Sequence, residues 1–227
     1  MSRLLVAGLA MALTAVVEGR QGVDPSWTAR FDVDRGDLVN AGRNPYFILE
    51  PGYRLILENG AERLVITVLD ETKLVDGVVT RVVEERETNH GALVEVSRNY
   101  FAISKRTNSV FYFGEDVDMY KDGKVVNHEG SWLAGVNGAR FGLMMPGLPL
   151  MRARYHQEIA PPVAMDRAEI VSLTEALRTP AGAFTDVVKI EETTPLEAGA
   201  KEYKFFARGV GLLQDGSLKL TRYGPGV

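Results

Sequence analysis

The chain is expected to fold as an all-β protein, a large curved antiparallel meander sheet or half-open β-barrel that follows an N-terminal signal helix. Three observations point there. From Tyr46 onward, β-branched and aromatic runs recur about every ten positions with turn residues between them, the pattern of an antiparallel sandwich or barrel. Asp-Gly pairs at Asp76-Gly77, Asp122-Gly123 and Asp215-Gly216 separate such runs, and glycine supplies positive φ there at no steric cost. Helical patterning is almost absent: after the first twenty residues only Thr174-Glu175-Ala176-Leu177 suggests a helix, Pro180 stops it, and the stretch fits a strand end better.

Residues 1–19 carry the export reading. Arg3 and the amino terminus precede the apolar run from Leu4 to Val17, too short for a comfortable membrane span and built like a signal peptide. Val17 and Gly19 are small enough for cleavage after Gly19, and cleavage after Ala15 is a second option; an uncleaved anchor or a buried helix is the competing interpretation. The expected destination is the periplasm or the extracellular space. Residues 20–45, rich in Gly, Asp, Asn and Arg, read as an irregular lead-in, and 46–227 as one β domain with no further membrane-spanning stretch.

Within that domain the strands come in order along the chain. Glu62 to Leu69 reads as a strand buried on both faces near its end, and Leu74-Val75 and Val78-Val79 flank a hairpin turn. Further segments run from Val78 to Glu87, Leu93 to Ser104, Ser109 to Phe113, Val117 to Lys121 and Lys124 to His128. The last third offers Arg152 to Ile159, Glu169 to Thr174, Phe184 to Thr193, Glu202 to Ala207, and a hairpin about Asp215-Gly216. Sequential neighbours joined by tight turns imply a meander.

Composition bounds function. The chain has 227 residues, 45% hydrophobic and 25% charged, with a net charge of −4, which Arg3 and Glu18 leave unchanged on removal of residues 1–19 because their charges cancel. An acidic chain without a basic block does not suit nucleic acid, whose phosphates need lysines and arginines. The absence of cysteine excludes disulfides, thiolate metal sites, a cysteine nucleophile and a lipid anchor on cysteine. No nucleophile elbow, P-loop, dinucleotide-binding glycine pattern or His-Glu-x-x-His helix is present, and no cofactor is expected.

Several local groups qualify as candidate sites. His156 and Glu158, two apart on an expected strand, can share a face as a metal or acid–base pair, and Glu115, Asp116 and Asp118 are hard oxygen ligands of the kind calcium takes. A solvated turn explains the second group better than a calcium site, His90 sits at a loop tip, and the Arg35-Gly36-Asp37 adhesion tripeptide has uninformative flanks. The most unusual feature is the apolar, Met-rich, Pro- and Gly-broken stretch from Phe141 to Met151, which is not expected to form a regular strand. Either it plugs one end of the core, or Phe141, Leu143, Met144, Met145, Leu148 and Met151, with Trp132, wall a lipid-sized cavity at the mouth of a barrel.

Asn44-Pro45-Tyr46-Phe47 with Pro51-Gly52, Tyr112-Phe113-Gly114-Glu115-Asp116-Val117, Gly130-Ser131-Trp132-Leu133-Ala134-Gly135-Val136 and Met145-Pro146 resemble a family of exported bacterial all-β proteins, a domain of unknown function. Pro180-Ala181-Gly182-Ala183-Phe184-Thr185-Asp186-Val187 and Ala207-Arg208-Gly209-Val210-Gly211-Leu212 continue the likeness over about residues 44–215, and they also resemble periplasmic domains with curved sheets like those of lipoprotein carriers. The resemblance implies fold and compartment and brings no activity or catalytic residues. The function expected is a periplasmic binding or carrier module for a hydrophobic small molecule, without chemistry. A module that docks an envelope protein and a carboxylate- or His-dependent hydrolase are the alternatives.

Overall fold

A computed structural model describes residue 24 and residues 26–227; the apolar run read as a signal helix lies outside the described residues. The lead-in supplies a short 3₁₀ turn and two short strands, β1 (Leu38–Val39) and β2 (Gly42–Asn44), and β2 pairs with β3 (Phe47–Leu49), at the start of the β domain, as a separate hairpin. A meander comes next, of β4 (Tyr53–Asn59), β5 (Glu62–Val75), β6 (Val78–Asn89), β7 (Ala92–Ser104) and β8 (Val110–Lys121). Onto β8 pair the short β9 (Lys124–Asn127) and β10 (Trp132–Leu133) and then β11 (Arg140–Met145). After β12 (Arg154–His156) and β13 (Glu158–Ile159), a second meander runs through β14 (Arg167–Thr179), β15 (Gly182–Thr193), β16 (Lys201–Ala207), β17 (Gly211–Asp215) and β18 (Leu218–Pro225).

Pairing of β18 with β4 joins the two meanders into one sheet that runs β12-β14-β15-β16-β17-β18-β4-β5-β6-β7-β8-β11-β13. Its two ends, β12 and β13, are separated in the chain by Gln157 alone. The sheet therefore curves into a nearly closed barrel, as the run of short strands and tight turns predicts. The Asp76-Gly77 and Asp122-Gly123 hairpins carry positive φ at both turn residues, the backbone that a two-residue turn between twisted strands requires. His90-Gly91 repeats it between β6 and β7.

Three elements differ from expectation. β5 is not fully buried on both faces: Leu64 and Val68 are buried, while Val65, Ile66 and Thr67 between them are half-buried. The two strands expected over 109–113 and 117–121 are one, because Gly114 (φ 139°) absorbs an extra residue as a bulge and holds β8 in register with β7. The first half of the Met-rich stretch is a strand after all, with an irregularity between Leu143 and Met145, and only the residues beyond Met145 form a loop.

At the seam β11 runs very close to the segment holding β12 and β13. A Cβ at Gly142 would stand 2.2 Å from the Gln157 carbonyl oxygen and 2.6 Å from that of His156, both backbone atoms. The approach requires glycine. Gly142→Ala is expected to lower stability by about 3 kcal/mol through forced separation at the seam, read as a lower midpoint in urea unfolding; an unchanged midpoint would show that the seam yields easily.

Candidate functional site

Inside the barrel lies a cavity of about 80 Å³. Its wall mixes two chemistries. Tyr46, Phe47, Tyr53, Phe101, Tyr112 and Phe206 present rings, while Glu85, Glu158, Asp166, Glu192 and Asp215 present carboxylates around a single ammonium among the described residues, that of Lys204. Asn99, Gln157 and Met144 complete the polar part.

Strand register explains how the rings arrive. Phe101 and Tyr112 are register partners across β7 and β8 and stack at 4.7 Å. Phe47, from the β2–β3 hairpin, meets the Phe101 ring edge-on at 5.0 Å. Asn44 pins that hairpin: its side-chain N–H donates to the carbonyls of Asn108 (2.7 Å) and Pro146 (3.0 Å), and its Oδ1 accepts from the Tyr46 N–H at 2.7 Å. A segment read from sequence as lead-in thus helps bring two aromatic residues to the cavity.

The polar part depends on one bulge. The N–H groups of Gln157 and Glu158 both donate to the Asp166 carbonyl, at 2.8 and 3.2 Å, so two consecutive side chains reach the cavity. Gln157 Nε2 donates to Glu192 Oε1 at 2.8 Å, and Lys204 Nζ lies 2.7 Å from Glu192 Oε2 and 4.0 Å from Asp215 Oδ2. Burial disfavours the Lys204 charge, but Asp215, Glu192 and Glu202 outweigh it and raise the ammonium pKa well above its usual range. The acids move the other way. Burial, then the repulsion of Asp166 and Glu115, pushes Glu158 well above the usual carboxylate range; Glu115, beside Tyr112, is pushed up to about 7, chiefly by burial; and Glu202 rises to about 7 through burial and its neighbour Asp215.

Of the residues singled out from sequence, Met144 lines the cavity, and Trp132 stands behind it with its ring edge-on to Tyr112 at 5.4 Å. Phe141 stacks on Phe113 at 5.0 Å and, with Leu143, packs by Phe31 and Phe111 away from the cavity. Met145 is fully buried in the core, whereas Leu148 (73%) and Met151 (51%) are exposed on the loop beyond it. The structure does not join these seven residues into one wall.

The other candidates are also dispersed. The bulge parts His156 from Glu158: His156 is buried against Trp27, whose ring centroid is 6.5 Å away, and burial, then Arg167, lowers its pKa. Asp116 accepts from Lys73 at 2.7 Å and from the Tyr100 hydroxyl, Asp118 lies 2.9 Å from His128, and Glu115 belongs to the buried set. Among the described residues no group of three or more His, Asp or Glu is placed to hold a metal. Arg35 and Asp37 are engaged within the fold, with Asp76 and Ser104. No family profile, curated protein or solved structure matches the chain.

Of the cavity's carboxylates, sequence reasoning singled out Glu158, though as a partner of His156, and missed Glu85, Asp166, Glu192 and Asp215, because charge on a strand is ordinarily assigned to the solvent face. The signal was parity. Val188, Ile190 and Glu192 alternate along one face of β15, and Lys204 and Phe206 share a face of β16, so a charged residue continues an apolar face in each case.

The buried charges make stability depend on pH and on the Lys204 pairing. Glu115 and Glu202 keep protons in the folded chain that the unfolded chain, with carboxyls near 4.5, gives up, so stability falls as pH rises from about 4.5 to about 7. Melting temperatures are expected to be higher at pH 5 than at pH 8, and Glu115→Gln is expected to flatten the slope, its share being on the order of 3 kcal/mol; a melting temperature that rises over this window contradicts the assignment. Lys204→Met leaves Glu192 and Asp215 buried without their counter-charge and is expected to cost about 3–5 kcal/mol in urea unfolding, with part recovered by adding Glu192→Gln.

Proposed function

We propose that this chain is an exported binding or carrier module that holds a small ligand by its apolar part inside the barrel, without covalent chemistry. The observation that supports this most directly is the cavity, in which six aromatic residues gather around space that the chain's own side chains do not fill. At about 80 Å³ it exceeds the roughly 10–15 Å³ that one water molecule needs and falls below the 300–1,000 Å³ of pockets for drug-sized ligands. A compact group suits it, and a full acyl chain does not. Export rests on the apolar run within residues 1–19.

A second reading is a carboxylate-dependent hydrolase. One observation favours it: the Glu115 carboxyl, pushed up to about 7, lies in the range suited to general acid–base work at neutral pH.

Native mass spectrometry of the full chain, with organic extraction of whatever is bound, tests the binding reading. A small co-purifying mass that leaves on denaturation is the expected result. Val83→Phe, which places a ring at the cavity wall, is expected to abolish binding of the extracted molecule while near-ultraviolet circular dichroism keeps its native form. Unchanged affinity in the folded variant would place the ligand elsewhere, and a bare chain with no saturable ligand would reject the reading.

A further inference from the structure

The cavity's charge is one-sided. Five carboxylates line it, and the one ammonium there among the described residues, Lys204, is already engaged by Glu192 at 2.7 Å and Asp215 at 4.0 Å. Asp215 is only 4% exposed, and its Oδ1 has no N–H or alcohol donor among the described residues, the Glu202 carboxyl being its remaining neighbour. The side chains that act most strongly on Glu158 are acids, Asp166, Glu115 and Glu192. A buried acceptor without a donor costs on the order of 1–3 kcal/mol, more when it is charged, and such a set is retained at that cost when something else supplies the donor.

Geometry selects the kind of cation. An inorganic metal ion needs several oxygens converging on one point, and the described residues provide no such group. The carboxylates are instead distributed around the wall, interleaved with aromatic side chains. Carboxylates around an aromatic-lined space are what an ammonium group on an apolar body requires: its N–H or N–CH₃ groups meet the acids, and its positive charge is attracted to the ring faces.

We propose that the ligand of this cavity is a small organic ammonium ion, seated with its nitrogen toward Glu158 and Asp215 and its apolar part against Phe101 and Tyr112. This rests on the binding reading above and adds the sign of the ligand's charge. The cation takes the place of the proton that burial and the neighbouring acids hold on Glu158, so binding releases a proton and occupancy stabilises the barrel.

A near-isosteric series tests it. tert-Butylammonium, tert-butanol and pivalate have closely similar shapes and carry positive, zero and negative charge. With the full chain, titration calorimetry and saturation-transfer NMR are expected to show tert-butylammonium binding at least about tenfold more tightly than tert-butanol, and no pivalate binding. Glu158→Gln and Asp215→Asn are expected to remove most of that preference. Both keep side-chain volume, and Glu158→Gln is expected to melt higher than the parent, so a lost preference is not a lost fold. Asp116→Asn, whose carboxylate bonds Lys73 and Tyr100 instead of lining the cavity, is the control and keeps the preference. If alcohol and ammonium bind equally, or pivalate binds best, the charge assignment is overturned while binding in the interior survives. If Asp116→Asn acts like Glu158→Gln, only the overall field is at work and the site is overturned. If none of the three binds, this inference and the binding reading fall together.

Discussion

An open antiparallel sheet ends in two rows of unpaired N–H and C=O groups, a template for association with other chains. Here one six-residue stretch, 154–159, occupies both ends: its first part pairs with β14 and its second with β11. The switch from one neighbour to the other occurs at Gln157. An extra residue must be absorbed there, and the two N–H groups sharing the Asp166 carbonyl absorb it. Everything else about the interior depends on this switch, because the same bulge that closes the barrel turns Gln157 and Glu158 inward together.

Closure then sets the electrostatics. A barrel interior that is largely shielded from bulk water raises the cost of every charge within it. Glu192 is the pivot, taking a hydrogen bond from Gln157 on one side and the Lys204 ammonium on the other. That pairing satisfies Glu192. It leaves Glu158, Asp166 and Asp215 raised or under-bonded, an arrangement that apolar residues of similar volume would remove with a gain in stability. Stability alone gives no reason to keep these acids, and a site that must recognise something gives one.

The fold was legible because its signals are local. Asp76-Gly77 and Asp122-Gly123 name their own turn geometry, and apolar runs of strand length stand between turn residues, so the β class and most strand positions can be read from neighbours in the chain. Bulges are different. The merging of two expected strands at Gly114 and the inward pairing of Gln157 with Glu158 depend on what the neighbouring strand does, which no window of residues contains. The candidate site was hidden for the same reason. Phe141 and Met144 lie three apart in one apolar stretch, yet Met144 reaches the cavity and Phe141 packs on the opposite face against Phe113. Parity alone separates them until the irregularity after Leu143 is known.

The lead-in shows why so much apparently irregular chain accompanies the barrel. Thr28 pairs with Tyr155 at β12, Trp27 lies over His156, and the guanidinium groups of Arg154 and Arg167 stand 5.5 and 4.5 Å from the Trp27 ring centroid. Farther along, Phe31 packs on Phe111 and Phe141. These contacts cover β12, β11 and β8, the strands around the seam, where pairing is short: three residues bind β12 to β14 and two bind β13 to β11. So few ladder bonds hold a closure weakly. The seam is therefore secured from both sides, by aromatic and cation–π contacts of the lead-in and by the Gln157–Glu192 hydrogen bond within. Part of the polar interior is for this reason structural, and the acids left over once Gln157, Glu192 and Lys204 are paired are the ones on which the proposed ligand would bear.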